Sequence, residues 1–546
     1  MKKMKKILAM LLALTMVLGM TMIASAETTS NVPNESNTAT VKVKNVEKDA
    51  VVTAYQVIGA KYNDNGFLGY VDVADIDSEK SELNLVAGTY MVESEILTST
   101  QVAGIAKEII NKNVTLKSVT LTTTDTTDLA TFSADLTAGY WIVLVSGTVE
   151  VYNPMLVGVY YTVGGSDSTL GSYPYDPENP DSTTNPGYTV DANAKWELVT
   201  TNAYAKSGNT SFGKSVNKAT RNLGDVAEFA VTALIPDYSD AYEADKIKFH
   251  IIDSVQDNSL KIDTDSIKVY TELSDDAHLV EAANYEVKPL ADGQGYTIMF
   301  NGKWIQGNPN KTVIVTYKAE VLGEIYAGDS HDNVAQLVYT SAPGEEKTLT
   351  AEESIYTFKI DGLIKKVKED GETPLANAEF MLYTDAECTI PYVNEKYETG
   401  CVVKTGDDGL INIYGLDENI YYLKETKAPA GYSLNDTVYK IVIKATVSDS
   451  SAITPYELST WTIQVENTEN KEVKTSKYDV NKKTDENGKV ISDIGFVANP
   501  TIIVNTKLIA LPSTGGIGTT IFTIAGCGIM IAAAFFFFAS RKKENE

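Results

Sequence analysis

Val51-Val52-Thr53-Ala54-Tyr55-Gln56-Val57-Ile58 is a short uncharged run dominated by β-branched and aromatic residues. Such side chains suit a pleated, half-buried surface, so the run reads as a β-strand. Tyr140-Trp141-Ile142-Val143-Leu144-Val145 and Thr312-Val313-Ile314-Val315-Thr316-Tyr317 read the same way. Turn residues separate these and many similar segments. One helix is expected at 100–111, where Val102, Ile105, Ile109 and Ile110 keep helical spacing. The pattern predicts an all-β chain, built as three β-sandwich domains in series.

Breakers suggest the boundaries. Tyr173-Pro174-Tyr175-Asp176-Pro177-Glu178-Asn179-Pro180 lies in a stretch over 164–190 that reads as a loop. The expected domains are 27–194, 195–354 and 355–472. At about 150 residues per domain, the length fits three. Residues 473–510 form a spacer or a last strand, with an apolar run near Thr501–Val504.

The chain is acidic, with a formal charge of −27. That argues against binding nucleic acid or anionic lipid. It has three histidines, His250, His278 and His331, in no ligand pattern, so neither a metal nor a cofactor is expected. Of three cysteines, Cys527 lies in a C-terminal apolar stretch. Cys388 and Cys401 are close enough in sequence to pair in an oxidising setting, or stand as separate thiols.

Both termini look like processing segments. Lys2, Lys3, Lys5 and Lys6 precede an apolar Ile7–Ile23 stretch and Ala24-Ser25-Ala26, the form of a secretory signal over 1–26. At the other end, Leu511-Pro512-Ser513-Thr514-Gly515 precedes an apolar stretch over 517–540 and Arg541-Lys542-Lys543. The apolar stretch exceeds the roughly 20 residues a membrane-spanning helix needs, and the basic tail stays cytoplasmic. This arrangement, 511–546, resembles the LPXTG sorting signal of Gram-positive surface proteins. The resemblance implies that a sortase cleaves between Thr514 and Gly515 and joins the Thr514 carboxyl to an amine. It also implies a secreted precursor held in the membrane by its C-terminal helix and then placed on the cell wall.

Two internal regions resemble known modules. Lys366-Val367-Lys368-Glu369-Asp370-Gly371 followed by Pro374-Leu375-Ala376-Asn377-Ala378-Glu379-Phe380, then Tyr421-Tyr422-Leu423-Lys424-Glu425-Thr426-Lys427-Ala428-Pro429-Ala430-Gly431-Tyr432, is similar to a Cna-B domain and its E-box. The resemblance implies an intramolecular isopeptide bond between Lys366 and an asparagine of the last strand, read as Asn467, promoted by Glu425. Strand alternation places Ile360, Gly362, Ile364 and Lys366 on one face. Burial lowers an amine's pKa and raises a carboxyl's, favouring a neutral nucleophile and a protonated acid. A one-residue register slip would substitute Lys365 for Lys366.

The middle region, with Leu223-Gly224-Asp225-Val226-Ala227-Glu228-Phe229-Ala230-Val231, Phe249–Ser254 and Asp332–Tyr339, resembles the Cna-A-like middle domain of Gram-positive backbone pilins. The resemblance implies a second bond between Lys214 and Asn333, with Asp253 as the acid and Lys218 as the rival lysine. Between the first two domains, Trp196 and Tyr204-Ala205-Lys206-Ser207 resemble the pilin motif, with Ala205 and Ser207 in place of its proline and asparagine. There the implied role of Lys206 is to attack the sortase acyl-enzyme at Thr514 of another subunit.

The expected protein is therefore not an enzyme but a shaft-forming Gram-positive backbone pilin with Ig-like Cna-type domains. A class C sortase would polymerise it head to tail. Implied partners are the sortase, identical subunits, minor tip and base pilins, and the peptidoglycan cross-bridge. The alternative is a monomeric wall-anchored Cna-type adhesin. No nucleophile elbow or His-Glu-x-x-His motif supports a surface hydrolase.

Overall fold

The computed structural model describes residues 27–28, 33–63, 66–73, 97–163, 196–255, 259–291, 293–322, 333–448, 456–484, 490–496, 498–508 and 518–543. The signal sequence, the 164–190 loop, His331 and the Leu511–Gly515 pentapeptide lie outside the described residues. Strands dominate, as the alternating β-branched runs require. The chain forms two compact units. One comprises 1–356, 447–459 and 484–490; the other comprises 357–446, 460–483 and 491–546.

The first unit contains two apolar cores. The N-terminal core is covered by a sheet ordered Glu27–Thr28, Trp196–Thr200, Met155–Val163, Gly139–Ser146, Val51–Asn63 and Gly66–Asp72. Facing strands are Thr38–Glu47 and Leu129–Thr137, with Ala203–Tyr204 parallel to the former. The expected helix spans Ser99–Ile110. Thr98 caps it, and Thr98 and Gln101 satisfy each other's end of the first turn in a capping box. Val102, Ile105 and Ile109 bury on one face, as their spacing requires.

The second core lies between a sheet ordered Phe212–Val216, Val226–Leu234, Thr312–Val321 and Leu260–Thr271, and one ordered Tyr285–Pro289, Gly295–Phe300, Phe249–Val255, Asn333–Ala342 and Glu345–Glu353. Strict alternation in Phe249–Val255 sends Phe249, Ile251, Asp253 and Val255 inward. The cores are joined through polar backbone contacts. Asn153 donates from Nδ2 to Asp237 O (3.2 Å), and its Oδ1 accepts from Ser239 N (3.0 Å). Tyr242 donates to Tyr152 O (3.1 Å).

In the second unit the main sheet runs Val402–Lys404, Glu379–Tyr383, Ile420–Lys427, Tyr439–Val447, Leu458–Asn467, Val473–Thr484, Val490–Phe496. Strands therefore continue past 472, where the sequence reading ended the domain. The apolar run Thr501–Val504 is a strand and pairs in parallel with Ile364–Val367. Gly518–Lys543 is helical; Thr520–Arg541 is apolar enough to cross a membrane, with mean hydropathy 2.3.

Gly409 holds the start of this unit in place. Its φ is +74°, and a Cβ there would lie 2.3 Å from Lys366 O. Its own carbonyl accepts from Lys366 N at 2.7 Å. Gly409→Ala is expected to destabilise the C-terminal unit by about 1–3 kcal/mol or more, from left-handed strain plus the clash. Calorimetry should show its transition moving down while that of the first unit stays in place.

Candidate functional sites: two buried lysine–carboxyl–asparagine clusters and an exposed lysine

Lys366 is 0% exposed and sits at the third position of the Ile364–Val367 strand. Lys365, its neighbour in register, is only half-buried, so the structure selects Lys366 as the inward lysine. Its Nζ meets Glu425 Oε2 at 3.2 Å and donates to Asn505 Oδ1. Asn505 Nδ2 donates to Glu425 Oε1 at 2.8 Å, closing a three-residue ring of hydrogen bonds. Glu425 is further held by Asn435 N at 2.9 Å. The Phe380 ring lies 5.6 Å from Nζ. Burial pushes the Lys366 amine down to about 8, against the opposing pull of Glu425.

Asn467 is not part of this cluster. It is half-buried at the end of the Leu458–Asn467 strand, where its Oδ1 accepts from Glu469 N (2.9 Å) and Asn470 N (3.3 Å) and caps a turn. The reason is strand order. Leu458–Asn467 lies inside the main sheet, whereas the neighbour of the lysine strand is Thr501–Val504. The residue closing that strand, Asn505, is the one delivered to Lys366. Thr501-Ile502-Ile503-Val504-Asn505 repeats the pattern that made Asn467 attractive, an apolar run ending in Asn, and was the available signal.

In the first unit, Lys214 and Asp253 pair at 2.6 Å, both side chains fully buried. Lys218 is exposed, so Lys214 is the core lysine. Asp253 Oδ1 accepts from Tyr317 OH (3.1 Å), and Oδ2 receives a longer contact from Tyr296 OH (3.5 Å). Asn333 Nδ2 donates to Tyr317 OH at 2.8 Å, so the asparagine reaches the acid through the tyrosine. Desolvation pushes the Lys214 amine down and the Asp253 carboxyl up, the directions that favour a neutral pair. Phe229 and Tyr317 stack beside the amine, each ring 5.5 Å from Nζ.

The sequence reading missed both tyrosines. It also missed Glu353, a fully buried carboxyl directly opposite Asn333 in the strand pairing. Its Oε1 accepts from Ser354 N (3.1 Å) and Tyr456 N (2.9 Å). Burial pushes the Glu353 carboxyl up to about 7.

Lys206 is exposed on a backbone fixed on both sides. Before it, Ala203 and Tyr204 pair with Val43 and Lys44, and Ala205 N donates to Lys44 O at 2.8 Å. After it, Ser207 and Gly208 pair with Tyr152 and Val151. Asn45 Nδ2 donates to Ala205 O at 3.1 Å. Trp196 is buried edge-on against Tyr161, centroids 5.8 Å apart.

Cys388 and Cys401 stand as separate thiols, so the disulfide option falls. Cys401 is buried, which pushes its thiol up to about 12, while Cys388 is half-buried in a loop. No cluster of potential metal ligands occurs among the described residues.

Residues 361–455 match the model of the SpaA prealbumin-like fold domain, and 503–546 match the LPXTG cell wall anchor motif. The trypsin-resistant surface T6 protein of Streptococcus pyogenes serotype M6 is 26% identical over 567 residues, covering 93% of this chain and 96% of that one. The solved T6 backbone pilin of serotype M6 Streptococcus pyogenes, described as a modular three-domain structure, aligns with a TM-score of 0.56 at 20% identity, over 87% of this chain and all of that one. The full-length major pilin SpaD of Corynebacterium diphtheriae aligns with a TM-score of 0.46 at 16% identity, over 88% and 100%.

The likeness to the T6 structure supports a predominantly β, multi-domain fold for this chain. The anchor motif and apolar helix fit a membrane-held precursor whose mature form lies on the cell wall.

Once the mass change of the substitution itself is subtracted, Asn505→Ala is expected to leave the full-length chain one ammonia heavier than its parent, whereas Asn467→Ala should show no remaining difference. Intact-mass spectrometry under denaturing conditions reads both.

Proposed function

We propose that this chain is the shaft subunit of a covalently polymerised, wall-anchored pilus, a structural protein and not an enzyme. The observation that carries the reading is the setting of Lys206, an exposed residue on a backbone pinned between two strand pairings. A sortase charged with the Thr514 acyl group of one subunit would deliver it to Lys206 of another. Nucleophile and electrophile lie at different places on the same chain, so the contact is heterologous and grows without closing. The end of the polymer is joined in the same way to a peptidoglycan amine.

Within each subunit, Lys366 would attack the Asn505 carboxamide and Lys214 that of Asn333, each releasing ammonia. Glu425 touches both Lys366 and Asn505, so it is placed to shuttle the proton from amine to leaving group. The Lys366–Asn505 link would close a loop of 139 positions, restricting the unfolded chain by about 4–5 kcal/mol on the arithmetic used for disulfides. Such links suit an exported chain whose described cysteines are all free.

Wall material released by muramidase and boiled in SDS should give a high-mass ladder that Lys206→Ala collapses to one band. A single band from the parent chain would leave a monomeric wall-anchored adhesin instead.

A further inference from the structure

The middle cluster differs from its C-terminal counterpart in one respect. Glu425 bonds both the lysine and the asparagine. Asp253 bonds the lysine and two tyrosines, and Asn333 reaches it only through its amide nitrogen and Tyr317. Asn333 Oδ1, the oxygen on which negative charge develops when an amine attacks the carboxamide, is buried and has no hydrogen-bond partner among the described residues. A second buried oxygen in the same position is Glu353 Oε2. Asn333 and Glu353 are direct cross-strand partners, so their side chains share a face with Cβ atoms about 4.5–5.5 Å apart. Two unpartnered acceptors side by side in a dry core are unfavourable. One proton on the carboxyl satisfies both.

We propose that Glu353 is a second carboxylic acid of the middle-domain bond-forming site, donating its O–H to Asn333 Oδ1. This rests on the reading that Lys214 and Asn333 form a bond. The two acids then divide the work. Lys214 Nζ, as the free amine, attacks Asn333 Cγ, and the carbonyl electron pair moves onto Oδ1, which takes the Glu353 proton. Asp253, protonated in the neutral pair, gives its proton to Nδ2 and receives one from Nζ. The Cγ–Nδ2 bond breaks, ammonia leaves, and the Oδ1 proton returns to Glu353 as the carbonyl re-forms. Both acids end as they began. Glu353 is anchored for this by Ser354 N and Tyr456 N on Oε1, with the Val216 backbone also drawn to its carboxyl, while Oε2 keeps no hydrogen-bond partner of its own. Its raised carboxyl, held at about 7 by burial, keeps the proton in place below that pH and loses it as pH rises through about 7. The other titratable groups near it are Lys214 and Tyr356, the latter on its own C-terminal side.

The test uses the full chain, made by cell-free synthesis, denatured before the bond forms and refolded by dilution over a pH series. Intact mass counts ammonia losses, and peptide mapping assigns them to Lys214–Asn333 or Lys366–Asn505. Glu353→Met should slow the middle-domain link at least tenfold while Lys366–Asn505 forms at the parental rate, an internal control for folding. Glu353→Gln offers an amide N–H in place of the carboxyl and should restore the link. Gln cannot ionise, so its rate relative to the parent should rise as pH passes through about 7. A residue that only props the loop would give a ratio independent of pH, and that result overturns the proposal. So does Glu353→Met linking at the parental rate. If the parent chain itself never forms Lys214–Asn333, the underlying reading fails instead, and Glu353 is left as a buried structural acid.

Discussion

A primary amine inside a β-sandwich is the constraint around which both halves of this chain are arranged. Lys214 and Lys366 are 1% and 0% exposed, and an isolated ammonium there would be prohibitive. Each is therefore supplied with a carboxyl and surrounded by aromatic rings: Asp253, Phe229 and Tyr317 in one case, Glu425 and Phe380 in the other. A permanent buried ion pair of this kind is weak evidence for stability, since desolvation offsets much of the attraction. On the proposed bond formation, the arrangement is a reactant state. Conversion of amine and carboxamide to a neutral amide removes the charge that made burial unfavourable and leaves a covalent link in its place.

The two clusters reach that state differently. In the C-terminal unit one glutamate touches both reacting residues, and the site is self-contained. In the middle region an aspartate is tied to the lysine while a tyrosine relays it to the asparagine, and a second carboxyl faces the asparagine from the adjoining strand. If the acid function is shared in the way proposed, the middle site depends on the Glu345–Glu353 strand and on the Tyr456 backbone that holds its last residue. The exposed lysine is of another kind. Lys206 needs no low-dielectric setting, only a fixed backbone and access to solvent.

What the sequence disclosed was local. The β-branched runs, the helix near 100–111, the inward register of Lys366 and Asp253, and the apolar C-terminal helix all follow from spacing within one element. What it hid was a matter of neighbours. Asn467 and Asn505 both close apolar strands, and only the parallel pairing of Thr501–Val504 with Ile364–Val367 decides between them. Glu353 ends a strand that is otherwise exposed or half-buried, and only this last residue turns into the core. The role of Asn153 was not legible, because the surface it bonds to belongs to a region more than eighty positions away.

The parallel pairing has a mechanical side. A pull along the chain enters the C-terminal unit ahead of Ile364 and leaves it after Val504. Because those two strands run in the same direction, the pull slides one lengthwise past the other and loads all their hydrogen bonds together. An antiparallel pair pulled from its open end would instead unzip one bond at a time. Lys366 and Asn505 sit beside this ladder, on its exit side. An amide between them would carry tension from the first strand to the anchor directly, leaving the seven-stranded sheet outside the line of force.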